Sequence, residues 1–153
     1  MSGARTKFGM GRVYLDAAAE ARRRGDRRVG TDHIALAMLS DPGSEAALAL
    51  GVDLERARRA LQALDHDALL TLGIEAAFDD AALGGAAKAR LPLTPAGRAV
   101  FTGLRRVAVG ERLSRKHVLL ALLARARPDP AAALFDALGV DRDTVRDRLA
   151  EAS

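Results

Sequence analysis

The sequence contains no cysteine, few aromatic residues and no long apolar run. Without cysteine, disulfides, thiolate zinc sites and cysteine nucleophiles are excluded. No segment approaches the roughly 20 consecutive apolar residues that a membrane-spanning helix needs, and the opening MSGARTKFGMGR lacks the apolar core of a signal peptide. We therefore expect a soluble, cytoplasmic protein with no membrane partner.

The motifs of common catalytic and metal-dependent enzymes are also missing from the sequence. The chain has no GxSxG, no HExxH and no GxxxxGK[ST] phosphate-binding loop. Its histidines, His33, His66 and His117, have no partner at the spacing of metal ligands. The sequence therefore predicts no catalytic residue, no metal and no cofactor, and we expect a protein that is not an enzyme.

The chain is rich in alanine and leucine. Hydrophobic residues make up 49% of the 153 residues and charged residues 29%, which is sufficient for one folded domain. Aromatic residues account for only 3%, and β-branched runs are scarce. Because alanine and leucine favour helix over strand, we predict an all-α fold.

Capping residues predict where the helices begin. Each expected N-cap is a Ser, Thr or Asp that precedes an apolar or amphipathic segment. These residues are Thr31, Ser44, Asp53, Thr94 and Ser114. The first helix is expected over about Arg12 to Arg24, with Gly25 as its C-terminal stop.

The fourth predicted helix, which follows Asp53, is amphipathic. Leu54, Ala57 and Leu61 fall on one face at helical spacing. The residues expected to face water are Glu55, Arg56, Arg58 and Arg59.

The net charge of the chain is +4, its pI is about 10.3, and almost all of its basic residues are arginine. Basic and acidic residues are interleaved except in RRRGDRR. We interpret this run as a solvated helix end, with a docking patch for an acidic partner or nucleic acid as the alternative. The residues of this basic patch are Arg22, Arg23, Arg24, Arg27 and Arg28.

Two parts of the chain are similar to each other. The segment GTDHIALAML is matched by SRKHVLLALL, so that His33 aligns with His117. The tetrapeptide LGVD occurs at Leu50–Asp53 and again at Leu138–Asp141. An internal duplication accounts for both matches. We therefore divide a single domain, 1–153, into repeat one (about 8–64), a connector (about 65–91) and repeat two (about 92–151).

The duplicated unit resembles the N-terminal repeat of the Clp family of AAA+ unfoldases. The similarity rests on GTDH before an apolar helix, on LGVD before an amphipathic one, and on LPLTPAGRAVF, which is similar to that family's second-repeat opening. It implies about eight helices in two four-helix repeats related by a pseudo-twofold axis. Because the chain has no phosphate-binding loop, it is expected to be either a free-standing relative of the Clp N-domain or an excised one, without the ATPase module, and we favour the free-standing form.

The resemblance also implies ligand-binding residues. In some members of the family, a carboxylate in each GTEH motif helps to bind arginine-phosphorylated substrates. Asp32 keeps that charge in the first copy, whereas Lys116 reverses it in the second. This difference argues against two equivalent sites and against inherited phosphoarginine binding. The candidate ligand-binding residues by resemblance are Thr31, Asp32, Thr94 and Lys116.

Four further residues at equivalent positions are interpreted as structural. His33 and His117 are expected in the first turns of buried helices, where an imidazole caps backbone groups and packs against a neighbouring helix. Gly51 and Gly139 stand in the two LGVD tetrapeptides, and Gly51 is expected to end the third helix.

The function that these observations favour is non-enzymatic protein or peptide binding linked to Clp-type proteolysis, as an adaptor, a substrate-docking module or a decoy. The expected partners are a Clp unfoldase, its adaptors or its substrate proteins and peptides, and small molecules that target Clp N-domains. The alternative is a small basic helical protein that binds nucleic acid through the basic patch. The absence of a recognisable helix-turn-helix and the buried character of the second helix disfavour that alternative.

Overall fold

The computed structural model describes residues 9–72 and 90–152, and the chain in these ranges folds into α-helices. In chain order they are α1 (Met10–Arg24), α2 (Thr31–Ala37), α3 (Glu45–Leu50), α4 (Leu54–Leu72), α5 (Pro95–Thr102), α6 (Leu104–Ala108), α7 (Arg115–Leu123), α8 (Pro130–Ala137) and α9 (Arg142–Glu151). The predicted all-α class is therefore confirmed. The β-type pairing found in these two ranges is one isolated parallel bridge, between Val29 and Leu93.

Short polar side chains begin several of these helices, as the sequence predicts. Ser44, Asp53 and Thr94 each accept the backbone N–H three residues further on, at 3.2, 2.7 and 3.0 Å. Asp141 accepts two N–H groups in the first turn of α9. Each cap satisfies a donor that the helix leaves unpaired, and its loss typically costs about 1 kcal/mol.

The start of α2 corrects one predicted cap. The sequence predicts Thr31 as the N-cap, but Thr31 is the first helical residue and Gly30 is the N-cap. The Thr31 hydroxyl is used in a tertiary contact instead: it donates to Asp129 Oδ1 at 2.7 Å and accepts the Ala131 N–H at 3.1 Å. Because glycine has no side chain to cap with, the imidazole of His33 takes part by accepting the Gly30 N–H.

The core forms around α2 and α7. Helix α2 packs against α1, α4, α5, α7 and α8, while α7 packs against α2, α3, α5, α6, α8 and α9. The predicted central, buried position of α2 is therefore confirmed. Burying one aliphatic side chain stabilises the fold by roughly 1.5–3 kcal/mol. Side chains of these two helices that are at most 1% exposed include Ile34, Leu36, Val118, Leu119, Leu122 and Leu123.

The segment before α5 is fastened to the first half of the chain. The Val29 N–H donates to the Pro92 carbonyl at 2.8 Å, and the Thr94 N–H donates to the Val29 carbonyl at 2.9 Å. The Tyr14 hydroxyl donates to the Leu91 carbonyl at 2.6 Å. These bonds fix the start of α5 beside the start of α2.

Three helix boundaries differ from the prediction. Helix α4 continues to Leu72, into the predicted connector, because the segment DHDALLTL contains no glycine or proline. Residues 73–89 of that connector lie outside the described residues. A break at Gly103 separates α5 from α6, so the described ranges hold nine helices rather than about eight. The segment HVLLALLARA after Ser114 predicts a helix as far as Ala126, but α7 ends at Leu123.

Arg58 also departs from the prediction that it faces water. It is partly buried, and its Nε and Nη2 donate to the two carboxylate oxygens of Glu20 at 3.0 and 2.6 Å. Glu20 is only 6% exposed, so this pair joins α4 to α1 under partial exclusion of water. Removing one partner of such a pair leaves an uncompensated charge, which is strongly destabilising.

We predict that Gly97→Ala destabilises the fold by about 1–3 kcal/mol because it overpacks the contact between α5 and the chain before α2. A Cβ at Gly97 would lie 2.9 Å from the Val29 carbonyl oxygen and 3.2 Å from Thr94 Oγ1. Gly11 of α1 is the control, because its Cβ position has no atom within 4 Å. Gly11→Ala should leave the free energy of unfolding unchanged or slightly higher. Urea denaturation measures both, and wild-type stability of Gly97→Ala would contradict the prediction.

Candidate functional site

Two first-turn histidines make the same backbone contact. His33 Nδ1 accepts the Gly30 N–H at 2.9 Å, and His117 Nδ1 accepts the Ser114 N–H at 3.0 Å. Both imidazoles are almost completely buried. A ring nitrogen that accepts an N–H carries no proton, so the proton of each neutral ring lies on Nε2.

The outer ring nitrogens of the two histidines have different surroundings. His33 Nε2 lies 2.7 Å from Asp26 Oδ2, a short hydrogen bond to a carboxylate. His117 Nε2 lies 3.4 Å from Glu111 Oε1 and makes no hydrogen bond within the described part of the chain. The first ring is therefore held on both sides, and the second mainly on its backbone side.

Asp26 is the centre of a charge cluster at the end of α1. The Arg24 Nε donates to Asp26 Oδ2 at 3.1 Å, and Arg24 also pairs with Asp65 of α4. Partial burial raises the pKa of Asp26, but the hydrogen bond from His33 and the charge and hydrogen bond of Arg24 outweigh it. The pKa of Asp26 is therefore held below its ordinary value of 3.8, and the carboxylate is ionised at neutral pH.

Two of the ligand-binding residues predicted by resemblance, Asp32 and Thr94, both lie close to Gly30. A Cβ on Gly30 would lie 2.7 Å from Asp32 Oδ1 and 3.6 Å from Thr94 Cγ2. The Asp32 side chain is 15% exposed, and its Oδ1 lies 3.4 Å from His33 Nδ1. Because only a small part of the Asp32 carboxylate is exposed, it can accept a hydrogen bond from a cationic group in few directions.

The other two predicted ligand-binding residues, Thr31 and Lys116, have different surroundings. Thr31 is fully buried, and its hydroxyl is committed to the contact with Asp129. Lys116 lies in the first turn of α7, where its Nζ is 3.1 Å from Glu111 Oε1. The hydrogen bond and charge of Lys116 lower the pKa of Glu111 below its usual value. The first turn of α7 is therefore cationic where that of α2 is anionic.

Gly51 and Gly139, which were predicted to be structural, border a common groove. Both have a φ of 70°, in the left-handed region that favours glycine, so each lets the chain turn away from the helix before it. The groove between these turns has a volume of about 320 Å³.

The predicted basic patch lies at the end of α1, beside a second groove of about 580 Å³ between α1 and α4. Arg24 is largely buried and paired, whereas the other four arginines of the patch are exposed. The same groove is lined by three acidic side chains, Glu20, Glu55 and Asp65. Its charge is therefore mixed and does not form a uniform positive field.

Residues that build these sites but were not predicted from the sequence include Glu20, Asp129 and Arg148. Glu20 occurs on the same helical face as Val13 and Ala17. A charged residue on an apolar face is visible in the sequence, so Glu20 could have been identified from it. Asp129 directly precedes the proline that opens α8, a capping pattern that is visible in the sequence. Arg148 has no local pattern that marks it, because its contact is with a distant backbone carbonyl.

Histidine and acidic side chains do not form a metal site in the described residues, where no group of three or more is suitably arranged. The helices of these ranges include none that is long and apolar enough to cross a membrane. No family model matches the chain, and no curated protein is significantly similar to it. Its function must therefore be inferred from the geometry of its sites.

We predict that Asp26→Asn removes a pH-dependent contribution to stability. The pKa of Asp26 is lowered in the folded chain, so the ionised carboxylate stabilises the fold above its ordinary pKa of 3.8. This contribution is lost as the pH falls through the lower, folded pKa. The variant should therefore be less stable than wild type near about pH 6, and the difference should shrink as the pH falls below about 3.8.

Urea unfolding across this pH range measures the effect of Asp26→Asn. Asp67→Asn is the matched control, because Asp67 is exposed on α4. The control should follow the wild-type pH dependence. A difference between Asp26→Asn and wild type that stays constant with pH would show that the ionised carboxylate is not responsible.

Proposed function

We propose that this chain is a non-enzymatic protein- or peptide-binding module of the Clp N-domain type, linked to Clp-type proteolysis as an adaptor, a docking module or a decoy. The single observation that carries the proposal is the mirrored packing of two sets of helices. In the proposed duplication, α2 corresponds to α7, α3 to α8, and α4 to α9. Helix α1 then corresponds to α5 and α6 together.

The contacts between the two sets support this correspondence. Helix α2 packs against α8, and its counterpart α7 packs against α3. Helix α3 packs against α9, and its counterpart α8 packs against α4. Helix α2 also packs against α7, a contact that a twofold operation maps onto itself. Such reciprocal contacts are what a pseudo-twofold axis between two repeats requires.

Polar contacts at the helix starts follow the same reciprocity. The first turn of α2 reaches the start of α8 through Thr31 and Asp129. At the start of α7, the Ser114 hydroxyl donates at 3.2 Å to Glu45, the first residue of α3. Each central helix is therefore anchored by its first turn to the third helix of the other set.

The two buried histidines support a binding role over catalysis. His33 and His117 each use Nδ1 to hold a backbone N–H, and their side chains are 5% and 2% exposed. A general base needs a ring nitrogen with a free lone pair that reaches the substrate. In both rings Nδ1 is engaged and Nε2 carries the proton, so neither imidazole is suited to that role.

Asp32 is the candidate contact for a partner in this proposal. Its carboxylate lies close to Gly30, as does Thr94, and can accept a hydrogen bond there from a cationic side chain or a basic small molecule. The corresponding position in the second set is Lys116, which is paired with Glu111. The proposal therefore assigns one such site to the chain, in the first set.

We predict that the immobilised protein retains a Clp unfoldase, its adaptors or its usual substrates from nuclease-treated lysate of its own organism at moderate salt. Asp32→Arg should reduce the recovery of these proteins about tenfold, because it replaces the attraction of a carboxylate by repulsion. Asp67→Arg is the control, since it makes the same charge change at an exposed site on α4. Quantitative mass spectrometry of the eluates measures the recovery.

Two outcomes of this capture would count against the proposal. Eluates without any Clp component or substrate would contradict the proposed link between this chain and Clp-type proteolysis. Equal recovery on wild type and Asp32→Arg would leave the proteolysis link intact but remove Asp32 from the binding site.

A second candidate function, nucleic-acid binding, is favoured by the exposed arginines at the end of α1. Four of the five residues of the basic patch are exposed there. We predict that, if nucleic acid is the ligand, binding at low salt falls steeply between about 50 and 200 mM salt, because phosphate contacts release counterions. Mobility-shift titration measures this dependence. Unaltered mobility at low salt with excess protein would remove this candidate.

A further inference from the structure

Apolar side chains line one part of the groove bordered by Gly51 and Gly139, and we call this part its apolar floor. Side chains at the ends of α3 and α8 and in the turns that follow form this floor. They are Leu50, Val52, Leu138 and Val140. The volume of about 320 Å³ lies at the small end of the range for ligand sites and is open to one chain end or a small side chain.

Two arginines border this floor with unused guanidinium donors. Arg56 of α4 is exposed, and its side chain has no partner in the described ranges. Arg148 of α9 donates its Nη1 to the Ala49 carbonyl at 2.9 Å, which fixes the guanidinium beside Gly51. Its other N–H groups have no partner among the residues that the structure describes. Arg148 is therefore held in place but can still donate to a ligand.

One acidic side chain, Asp141, belongs to the same lining. Its Oδ1 accepts the N–H groups of Asp143 and Thr144 at 3.1 and 3.4 Å, so it serves the first turn of α9. The lining therefore carries two guanidinium groups with free donors and one carboxylate, whose Oδ1 holds the start of α9. This balance favours an anionic ligand group.

We propose that this groove binds the C-terminal end of a peptide chain, with an aliphatic last side chain on the apolar floor and the free α-carboxylate on Arg56 and Arg148. Arginine donates to a carboxylate through two parallel N–H groups, which fixes direction as well as charge. Capture of C-terminal carboxylates is a recurring mode of peptide recognition. The inference does not depend on a link to Clp-type proteolysis, because it concerns different residues from Asp32 and Thr94.

The juxtaposition of floor and guanidinium groups favours a chain end over an internal acidic residue. At a C-terminus, the carboxylate and the aliphatic side chain belong to one residue, so they enter a small groove together. An internal aspartate or glutamate has no aliphatic group other than the methylenes of its own side chain. The peptide also continues on both sides of it, so the groove would have to admit both flanking segments. A nucleic-acid phosphate would leave the apolar floor uncovered.

The experiment compares peptides that differ only at the chain end. The probe is a fluorescein-labelled peptide, Gly-Ser-Gly-Ser-Val-Leu, with a free C-terminus, and its matched form carries a C-terminal amide. A third peptide places Asp inside the sequence and ends in an amide. Fluorescence anisotropy with the full chain should give saturable binding of the free acid, and amidation should weaken it about tenfold because it removes the charge.

Two substitutions in α4 test whether the peptide binds in this groove. Arg56→Gln should weaken binding of the free acid about tenfold, because it removes an exposed guanidinium and leaves the backbone cap with Asp53 intact. Arg59→Gln is the matched control, since Arg59 is exposed on the same helix and borders the other groove. It should bind as wild type. Thermal unfolding of both variants verifies that they are folded.

The proposal is overturned if the free acid and the amide bind equally, or if neither binds up to about 1 mM, the weak end of specific recognition. Equal binding of the internal-Asp peptide would assign the groove to acidic side chains and overturn the proposal as well. Unchanged affinity in a folded Arg56→Gln variant would place the carboxylate elsewhere. These outcomes are independent of what the Asp32 capture experiment shows.

Discussion

One buried hydroxyl group, that of Thr31, fastens the start of α2 to the start of α8. It is fully buried, and it joins the first turn of α2 to Asp129 at the start of α8. The Asp129 carboxylate also accepts N–H groups of α8 and the Arg125 Nε at 3.0 Å, so its buried charge is compensated from several sides. A buried polar group that loses its partner typically costs about 1–3 kcal/mol. The placement of α8, and with it the turn at Gly139, therefore depends on a contact that permits little adjustment.

The first-turn histidines do what a glutamate or glutamine does in an ordinary capping box. In that arrangement, the side chain of the third helical residue accepts the N–H of the N-cap residue. Here the third residue is buried under neighbouring helices, where an ionised carboxylate would lose its hydration at high cost. A neutral imidazole accepts the same N–H with far less to desolvate, and its Nε2 points away from the cap. In α2 this second nitrogen reaches Asp26, which links the start of a core helix to the charge cluster at the end of α1.

Local chemistry made most of the fold predictable, and distant contacts account for what was not predicted. Ser44, Asp53 and Thr94 cap their helices as the sequence indicates, because a cap depends only on residues within one turn. Thr31 has the same capping chemistry, but a tertiary partner holds its hydroxyl. For the same reason, the buried pair of Glu20 with Arg58 could not be inferred from either helix alone. In the candidate sites, Asp32 was found by resemblance, whereas Arg148 became visible only when its helix was placed beside Gly51.

The proposed duplication explains why the groove has a symmetric floor and asymmetric charges. Its apolar residues come in corresponding pairs, Leu50 with Leu138 and Val52 with Val140. Its arginines do not: Arg56 aligns with Thr144, and Arg148 aligns with an alanine of α4. A floor of equivalent halves alone would accept an apolar group in either of two orientations. Guanidinium groups at non-equivalent positions remove that degeneracy, because only one orientation brings an anionic end to them. A groove of this kind is suited to a ligand that has a direction, and a peptide chain end has one.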